Sequence, residues 1–473
     1  MTHTPLRGAS PPVPAARRTA WAEGIDRLRA SATTEPGRLR IIGAVVAVLV
    51  VVFGAVTAWQ VSDRETAASA VVSRSQPLSA DAASIYRSLA DADSTAASGF
   101  LAGGQEPRAV RKRYERDVKL ASELLVKAAA NTEGSDSARR QIAKLNHQLP
   151  LYTGLVETAR ANNRQGLPLG GAYLRYANDK MRTELLPAAR ELYEAETARL
   201  GEDYADAKAW PWVALGVGVI ALGGLGWAQR RNFQRTNRVF NPGLLAATAA
   251  SAAVLLWLVV GHSVARSGLG DSYENGAKSL QVLNEARIGS LQSRGDENLT
   301  LVARGAVLTK DGEDAYEAGF QSGMRKLVGD TKGSAGAKGS AKPAAADPAA
   351  GSLMARAQSL ADDSAGREPI QKALDGVRAW QQRHGAARAT DDAGDYAGAL
   401  DKVIGAKGTT GECFDVVDAS LKTAVAHEQR EFTQAAESGR GALSGLAIGA
   451  AVLAVLAAAG AVLGIGRRLS EYR

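Results

Sequence analysis

The residues that could carry chemistry are few and widely separated. The 473-residue chain has one cysteine, Cys413, and five histidines. A single cysteine excludes an intramolecular disulfide and a cysteine-cluster metal site, and we interpret it as an unreactive, partly buried thiol. No two histidines stand at metal-ligand spacing, and no Ser/His/Asp set or phosphate-binding glycine loop can be assigned. We therefore expect no catalytic residue, no metal, no cofactor and no enzyme. The histidines are His3, His147, His262, His384 and His427.

Two acidic stretches are the remaining candidates for a site. They are "SLADADSTAASGFLAGG", which starts at Ser88, and "SRGDENLTLVARG", which starts at Ser293. Both lie in predicted helices: the first carries two acids and is directly preceded by Arg87, and the second carries two acids followed by Arg304. We favour a solvated face with a weak surface ion pair, worth about 0.3–0.5 kcal/mol. The alternative is a polar patch that binds a ligand or a docking protein. The residues concerned are Arg87, Asp91, Asp93, Asp296, Glu297 and Arg304.

The helix that carries the first stretch has an apolar stripe at steps of three and four. This spacing is typical of a coiled-coil-like helix. Ala92 and Ala96 would point into the seam and permit close helix approach. Asp91 and Asp93 flank Ala92 and would lie at the edges of the seam. The stripe consists of Leu78, Ala82, Ile85, Leu89, Ala92, Ala96 and Gly99.

Four runs without charged residues predict transmembrane helices. Each has roughly the 20 residues that a helix needs to cross a bilayer, and helix satisfies every backbone group within the segment. Four buried helices of a soluble protein are the alternative, which the flanking arginines and tryptophans disfavour. The predicted spans are residues 41–59, 210–228, 243–261 and 442–466.

Arginine placement predicts the topology. Arginines concentrate in residues 1–40, 229–242 and 467–473. By the positive-inside rule these three segments are cytoplasmic. The two long segments, 60–209 and 262–441, are then extracytoplasmic. We expect a multi-pass plasma-membrane protein in the lipid bilayer, with both termini in the cytoplasm.

Both long segments are predicted to be helical bundles. Residues 60–209 contain four long helices with short turns, which indicates an antiparallel four-helix bundle. Residues 262–441 repeat the plan less cleanly and include a low-complexity stretch, 329–351, that we predict to be a disordered linker. The fold class is therefore an all-α membrane protein, with four transmembrane helices and two extracytoplasmic helical bundles. The matching order of the halves indicates an architectural repeat.

Several function classes are disfavoured. The spans contain no Asp, Glu, Lys or Arg, whereas ion-coupled transporters usually carry such groups within the membrane. The cytoplasmic segments are too short for a kinase or cyclase domain, and no nucleic-acid partner is expected. Two G-x-x-x-G pairs in the fourth span are typical helix-packing surfaces, whose partner is another span or a second copy in a homodimer. They are Gly445 with Gly449, and Gly460 with Gly464.

The plan and three stretches resemble known membrane sensors. The bundles are similar to the four-helix-bundle sensory domains of bacterial chemoreceptors and sensor kinases. The whole chain resembles the GlnX-type four-span membrane proteins of actinobacteria, through "SIYRSLADADSTAASGFLAGGQEP", "ARIGSLQSRGDENLTLVARG" and "RAWQQRHGAARATDDAGDYAGAL". The resemblance implies two partners, an extracytoplasmic amino-acid-binding lipoprotein and the cytoplasmic protein kinase G. It further implies that they relay aspartate or glutamate availability.

The prediction is therefore a non-enzymatic transmembrane sensor or signal transducer. A binding protein would dock outside, and helices continuous with the spans would shift the inner face toward a kinase-side partner. Such a signal requires that the partner bind two states with different affinity. The alternative is a structural envelope scaffold whose bundles only tether partner proteins. A ligand-dependent change in helix accessibility distinguishes the two.

Overall fold

The computed structural model describes residues 35–131, 135–236, 241–330, 348–405 and 407–470. Within these ranges the chain forms helices and no β-strand, with one isolated bridge between Leu308 and Asp314. This confirms the all-α fold class. The α-helices are α1 (Glu35–Ala70), α2 (Gln76–Leu101), α3 (Arg108–Asn131), α4 (Asp136–Arg164), α5 (Leu169–Lys180), α6 (Leu186–Lys208), α7 (Trp212–Thr236), α8 (Pro242–Asp271), α9 (Lys278–Ala303), α10 (Ala315–Val328), α11 (Leu353–Leu360), α12 (Ser364–Asp392), α13 (Tyr396–Ile404), α14 (Thr410–Gly441) and α15 (Leu446–Ser470).

Two compact units make up the chain. The first, called the span unit here, comprises Met1–Ser62, Trp210–Gly261 and Gly445–Arg473. The second, called the bundle unit, comprises Asp63–Ala209 and His262–Ser444. Most of the predicted linker, residues 331–347, lies outside the described residues, as does most of the predicted cytoplasmic tail, residues 1–34.

The span unit has the surface of a membrane protein. Four helical stretches, Gly37–Leu101, Leu169–Gln234, Pro242–Ala303 and Thr410–Arg467, are long and apolar enough to cross a membrane. Large apolar side chains point outward as well as inward: Ile448 is 73% exposed, whereas Val50 is buried. A helix that is apolar on all sides is expected where lipid replaces water. The chain is therefore a multi-pass membrane protein.

Glycines bring two spans of the same chain into backbone contact. A Cβ atom placed on Gly243 would lie 2.3 Å from the carbonyl oxygen of Gly460 and 2.6 Å from the Cα of Gly464. α8 and α15 therefore pack through one of the two predicted glycine pairs, as small-residue interfaces in membranes do. A Cβ on Gly449 would lie 2.3 Å from the ring of Trp257, so this glycine also packs closely within the chain.

Gly445 differs from the prediction. It lies in the turn at residues 442–445, before α15 begins, with φ +77°, and a Cβ placed on it would meet no atom within 4 Å. Its role is to supply the left-handed backbone that only glycine adopts at low cost. The G-x-x-x-G pattern could not reveal this, because the spacing does not show where a helix is interrupted.

In the bundle unit, the two predicted bundles share one core. The first consists of α2, α3, α4 and the pair α5 and α6, and the second of α9 to α14. One continuous apolar cluster contains Leu89 and Tyr152 from the first segment together with Leu291 and Trp380 from the second. The two segments meet where α2 packs on α9.

Short π-helical turns interrupt the long helices at matching places. Val71–Ser75 separates α1 from α2, and Ser272–Ala277 separates α8 from α9. In the first turn the Ser75 hydroxyl donates to the carbonyl of Ala70, five residues earlier. Pro77 follows it and has no N–H to continue the regular ladder. A third π turn, Met181–Leu185, joins α5 to α6. The shared irregularity supports the architectural repeat.

Candidate functional site

The candidate site lies where α2 meets α9, and small residues allow the close approach. A Cβ on Gly295 would lie 3.7 Å from the Cα of Ser94. The Asn298 side-chain amide donates to the Ser94 carbonyl at 3.3 Å and to the Ser98 hydroxyl at 2.6 Å. The polar residues of the two acidic stretches therefore lie side by side, and the first stretch packs against the second.

Asp93 is buried in this interface. Its carboxylate accepts from the Asn178 side-chain amide at 2.6 Å and from the Tyr152 hydroxyl at 3.3 Å. Burial raises the pKa of Asp93 to about 6, although these two donors and the charge of Arg182 favour the ionised form. The interpretation of Asp93 as part of a solvated face is therefore wrong. The face predicted to be solvated is covered at Asp93 by α4 and α5, which carry the Tyr152 and Asn178 donors.

Asp296 is the buried counterpart on α9. Arg182 donates to its carboxylate and is itself 43% exposed. Burial raises the pKa of Asp296 to about 7, while Arg182 lowers it and the charge of Asp93 raises it. Arg182 thus pairs with Asp296 and acts on Asp93 only through its charge. Because unlike charges favour ionisation and like charges oppose it, proton occupancy here depends on where Arg182 lies.

Arg182 is positioned by the π turn Met181–Leu185. A π turn adds a residue to the helical turn and is frequent at functional sites. The site therefore combines two buried carboxylates with one partly exposed cation that reaches them from the surface. Sequence reasoning missed Arg182, because no local pattern separates it from the exposed Arg190 on α6.

Glu297 lies in a second buried cluster. It binds Arg294 and accepts from Trp380 Nε1 at 3.0 Å, and its other oxygen lies 2.9 Å from His384 Nδ1. The second ring nitrogen of His384 lies 3.0 Å from Glu317. Burial opposes the charged imidazole, but the two carboxylates outweigh it and raise the pKa of His384 to about 9. The surface interpretation of Glu297 is wrong as well.

Asp91 belongs to a partly buried ion-pair network. Its two oxygens share the single N–H of Arg113 Nε, at 3.0 and 3.1 Å, and Thr95 donates to it as well. Arg87, four residues before Asp91, donates instead to the Ser84 hydroxyl at 3.2 Å. Burial lowers the pKa of Arg87 to about 10, helped by the nearby charge of Arg287. The suggested pair of Arg87 and Asp91 is thus replaced by a pair between α2 and α3.

Arg304 is not at either buried cluster. It ends α9 in the left-handed conformation, with φ 48°, and its guanidinium lies 3.7 Å from the centroid of the Tyr396 ring. A stacked cation of this kind contributes to packing. Of the six predicted residues, only Asp93 and Asp296 are therefore brought into one site.

This architecture fits a transmembrane sensor: an all-helical, multi-pass chain whose bundle unit encloses a charged interface. Residues 67–205, which run from the end of α1 to α6, match the family model described as the actinobacterial sensor domain. Searches of curated proteins and of solved structures found no match. The match supports a sensor.

Proposed function

We propose that the chain is a plasma-membrane signal transducer. In this proposal it relays aspartate or glutamate availability from an extracytoplasmic amino-acid-binding lipoprotein to cytoplasmic protein kinase G. The sensor-domain match and the four candidate spans support a transmembrane sensor. The particular relay rests on the resemblance to GlnX-type proteins. The residues that we assign to it are Asp93, Asp296 and Arg182.

The observation that carries the proposal is the ion pair between the partly exposed Arg182 and the buried Asp296. Arg182 is 43% exposed, so a carboxylate on a docked protein can compete for it. When Arg182 leaves, Asp296 loses the cation that lowers its pKa. It then takes up a proton or bears the cost of an unpaired buried charge. Docking thereby changes the charge between α2 and α9, which are the helices that follow the first and third spans along the chain.

This mechanism needs a docked state and a free state of different free energy. A partner shifts such an equilibrium only by its difference in affinity for the two states. The differential contact here is the bond from Arg182 to Asp296, made in the free state and broken in the docked one. A scaffold that only tethers partners needs no such difference.

The test measures a distance within the bundle unit of the full chain, with and without the partner protein. Spin labels are placed at two exposed positions, Lys119 on α3 and Gln321 on α10, in a Cys413→Ala background. Purified binding lipoprotein is added to the chain in nanodiscs, with and without aspartate or glutamate. A transducer changes the distance between the labels only with the loaded lipoprotein. Binding without any change of distance would favour the scaffold.

A matched pair of arginine variants links the response to the site. Arg182→Gln should abolish the ligand-dependent change, because the contact that distinguishes the two states is gone. Arg190→Gln is the control, since Arg190 is 67% exposed and pairs only locally, with Glu194. An unchanged response in Arg182→Gln would contradict the proposed role of this arginine.

A further inference from the structure

A second cluster of side chains, away from Asp93 and Asp296, has the donors of a metal site. Asp363, His427 and Glu431 each offer one ligand atom, and these atoms lie within 4.8 Å of one another. His427 Nε2 is 3.1 Å from Asp363 Oδ1 and 3.3 Å from Glu431 Oε1. Asp363 is the N-cap of α12, whereas His427 and Glu431 stand one turn apart on α14.

A fourth carboxylate is buried against this cluster with an unpaired oxygen. Glu428 is 2% exposed, and its Oε1 has no hydrogen-bond partner among the described residues. A Cβ on Gly366 would lie 3.1 Å from this oxygen, 3.3 Å from Asp363 Oδ1 and 3.4 Å from His427 Cδ2. The three groups therefore lie together beside Gly366, where a side chain would be crowded. A buried carboxylate oxygen without a donor is costly unless a positive charge balances it.

The local excess of negative charge also favours a bound cation. Asp363, Glu428 and Glu431 converge on a single imidazole, and Asp362 adds a further negative charge nearby. Arg430 acts on Glu431 from the same helix, but its Nε donates to the carbonyl of Ala426. The N-terminus of α12 contributes only a partial positive charge, about half an elementary charge.

We propose that Asp363, His427 and Glu431 bind one divalent transition-metal ion, with Zn²⁺ the best match, and that the buried Glu428 beside them adds negative charge that the ion balances. Zinc takes four nitrogen and oxygen ligands at about 2.0–2.2 Å. An imidazole among carboxylates favours a transition metal over Ca²⁺ or Mg²⁺. Ligand atoms on a tetrahedral zinc lie roughly 3.4 Å apart, as those bond lengths require. The two distances to His427 Nε2, 3.1 and 3.3 Å, are already close to this spacing. Asp363 is 44% exposed and Glu431 37%, so these two side chains can adjust around an ion.

The ion would clamp the start of α12 to the middle of α14. His427 and Glu431 at i and i+4 present two ligands from one helix face. Asp363 supplies the ligand from the other helix while its Oδ1 still accepts from the Gly366 N–H at 2.7 Å. Because a ligand that binds only the folded state stabilises it, the metal should raise the unfolding temperature.

The experiment uses the full chain in detergent, purified without a histidine tag and stripped with EDTA. Zn²⁺ is titrated by calorimetry, and bound metal is counted after desalting. We expect one zinc per chain, a raised unfolding temperature, and weaker binding of Ca²⁺ and Mg²⁺. No zinc retained by the wild-type chain, or equal affinity for Ca²⁺, would overturn the proposal.

Variants then assign the ligands. Asp363→Asn keeps a side-chain oxygen for the helix cap, because Asn is as good an N-cap as Asp. It should bind zinc at least about ten-fold more weakly, as should His427→Gln and Glu431→Gln. Glu437→Gln, an exposed carboxylate further along α14, is the control and should bind like the wild type. If circular dichroism shows that His427→Gln does not fold, the zinc affinity of Asp363→Asn tests the site instead. Wild-type affinity in Asp363→Asn would refute the site.

Discussion

Replacing Asp93 with Asn tests whether a buried, protonatable acid stabilises the packing of α2 on α4 and α5. The carboxylate of Asp93 is buried and its pKa is raised to about 6, from an ordinary value of 3.8. Between these two pH values the folded protein binds more protons at this group than the unfolded chain does. Stability from this group is therefore greatest at low pH and is lost as the pH rises toward 6.

The expected magnitude follows from the size of this window. The pKa of Asp93, near 6, lies about one pH unit above pH 5. One pH unit corresponds to roughly 1–2 kcal/mol of folding free energy. Asn carries no charge, and its side chain has only one acceptor oxygen. Asp93 accepts a hydrogen bond on each of its two oxygens. One donor is then left unpaired, at a cost of about 1–3 kcal/mol at every pH. The variant should be less stable than the wild type at pH 5 and should recover roughly 1–2 kcal/mol relative to it by pH 7.5.

The assay is thermal unfolding of the full chain in detergent, followed by tryptophan fluorescence between pH 5 and 7.5. A change of 1 kcal/mol shifts the unfolding temperature of a large domain by roughly 2–4 °C. Asp179→Asn is the control, because Asp179 is an exposed carboxylate next to Asn178 on α5. A difference between wild type and Asp93→Asn that stays the same at all pH values would refute the reasoning.

Three further predictions concern the rest of the chain. Gly243→Ala should destabilise the packing of α8 on α15, typically by about 1–3 kcal/mol, whereas Gly216→Ala, with no atom within 4 Å, should be neutral in the same detergent-unfolding assay. Glu297→Gln should destabilise by about 3–5 kcal/mol and lower the pKa of the neighbouring imidazole, measured by NMR; an unchanged imidazole pKa would contradict the assigned contact. In a cysteine-free background, a cysteine at Asn131 should react with impermeant reagents on intact cells and one at Asn232 only after permeabilisation; labelling of Asn232 from outside would reverse the topology.

The histidine in the Glu297 cluster has its own pH dependence. Its pKa is raised to about 9, above the ordinary value of about 6.5. The stability that His384 contributes is therefore complete below about pH 6.5 and is lost as the pH rises to about 9. This direction is the same as for Asp93 but at a higher pH, so the two groups can be distinguished by titration.

The sequence alone determined the fold class and the four spans. Length and lack of charge are local properties, and in lipid they leave only the helix, because no water can satisfy the backbone. The positions of most outer helices also followed from apolar spacing and turn residues. The helix carrying "SLADADSTAASGFLAGG" ends near Gly103, where the backbone turns left-handed.

The tertiary structure alone decided what these helices bury. Asp93 and Asp296 lie about two hundred residues apart, and the face between them consists of alanine, serine and glycine. Such small residues suit either a solvated surface or a close helix contact, so their spacing does not say which. Arg182 and the cluster around His427 depend on the same long-range packing. Such a contact joins residues that are far apart in the sequence, so no local sequence pattern predicts it.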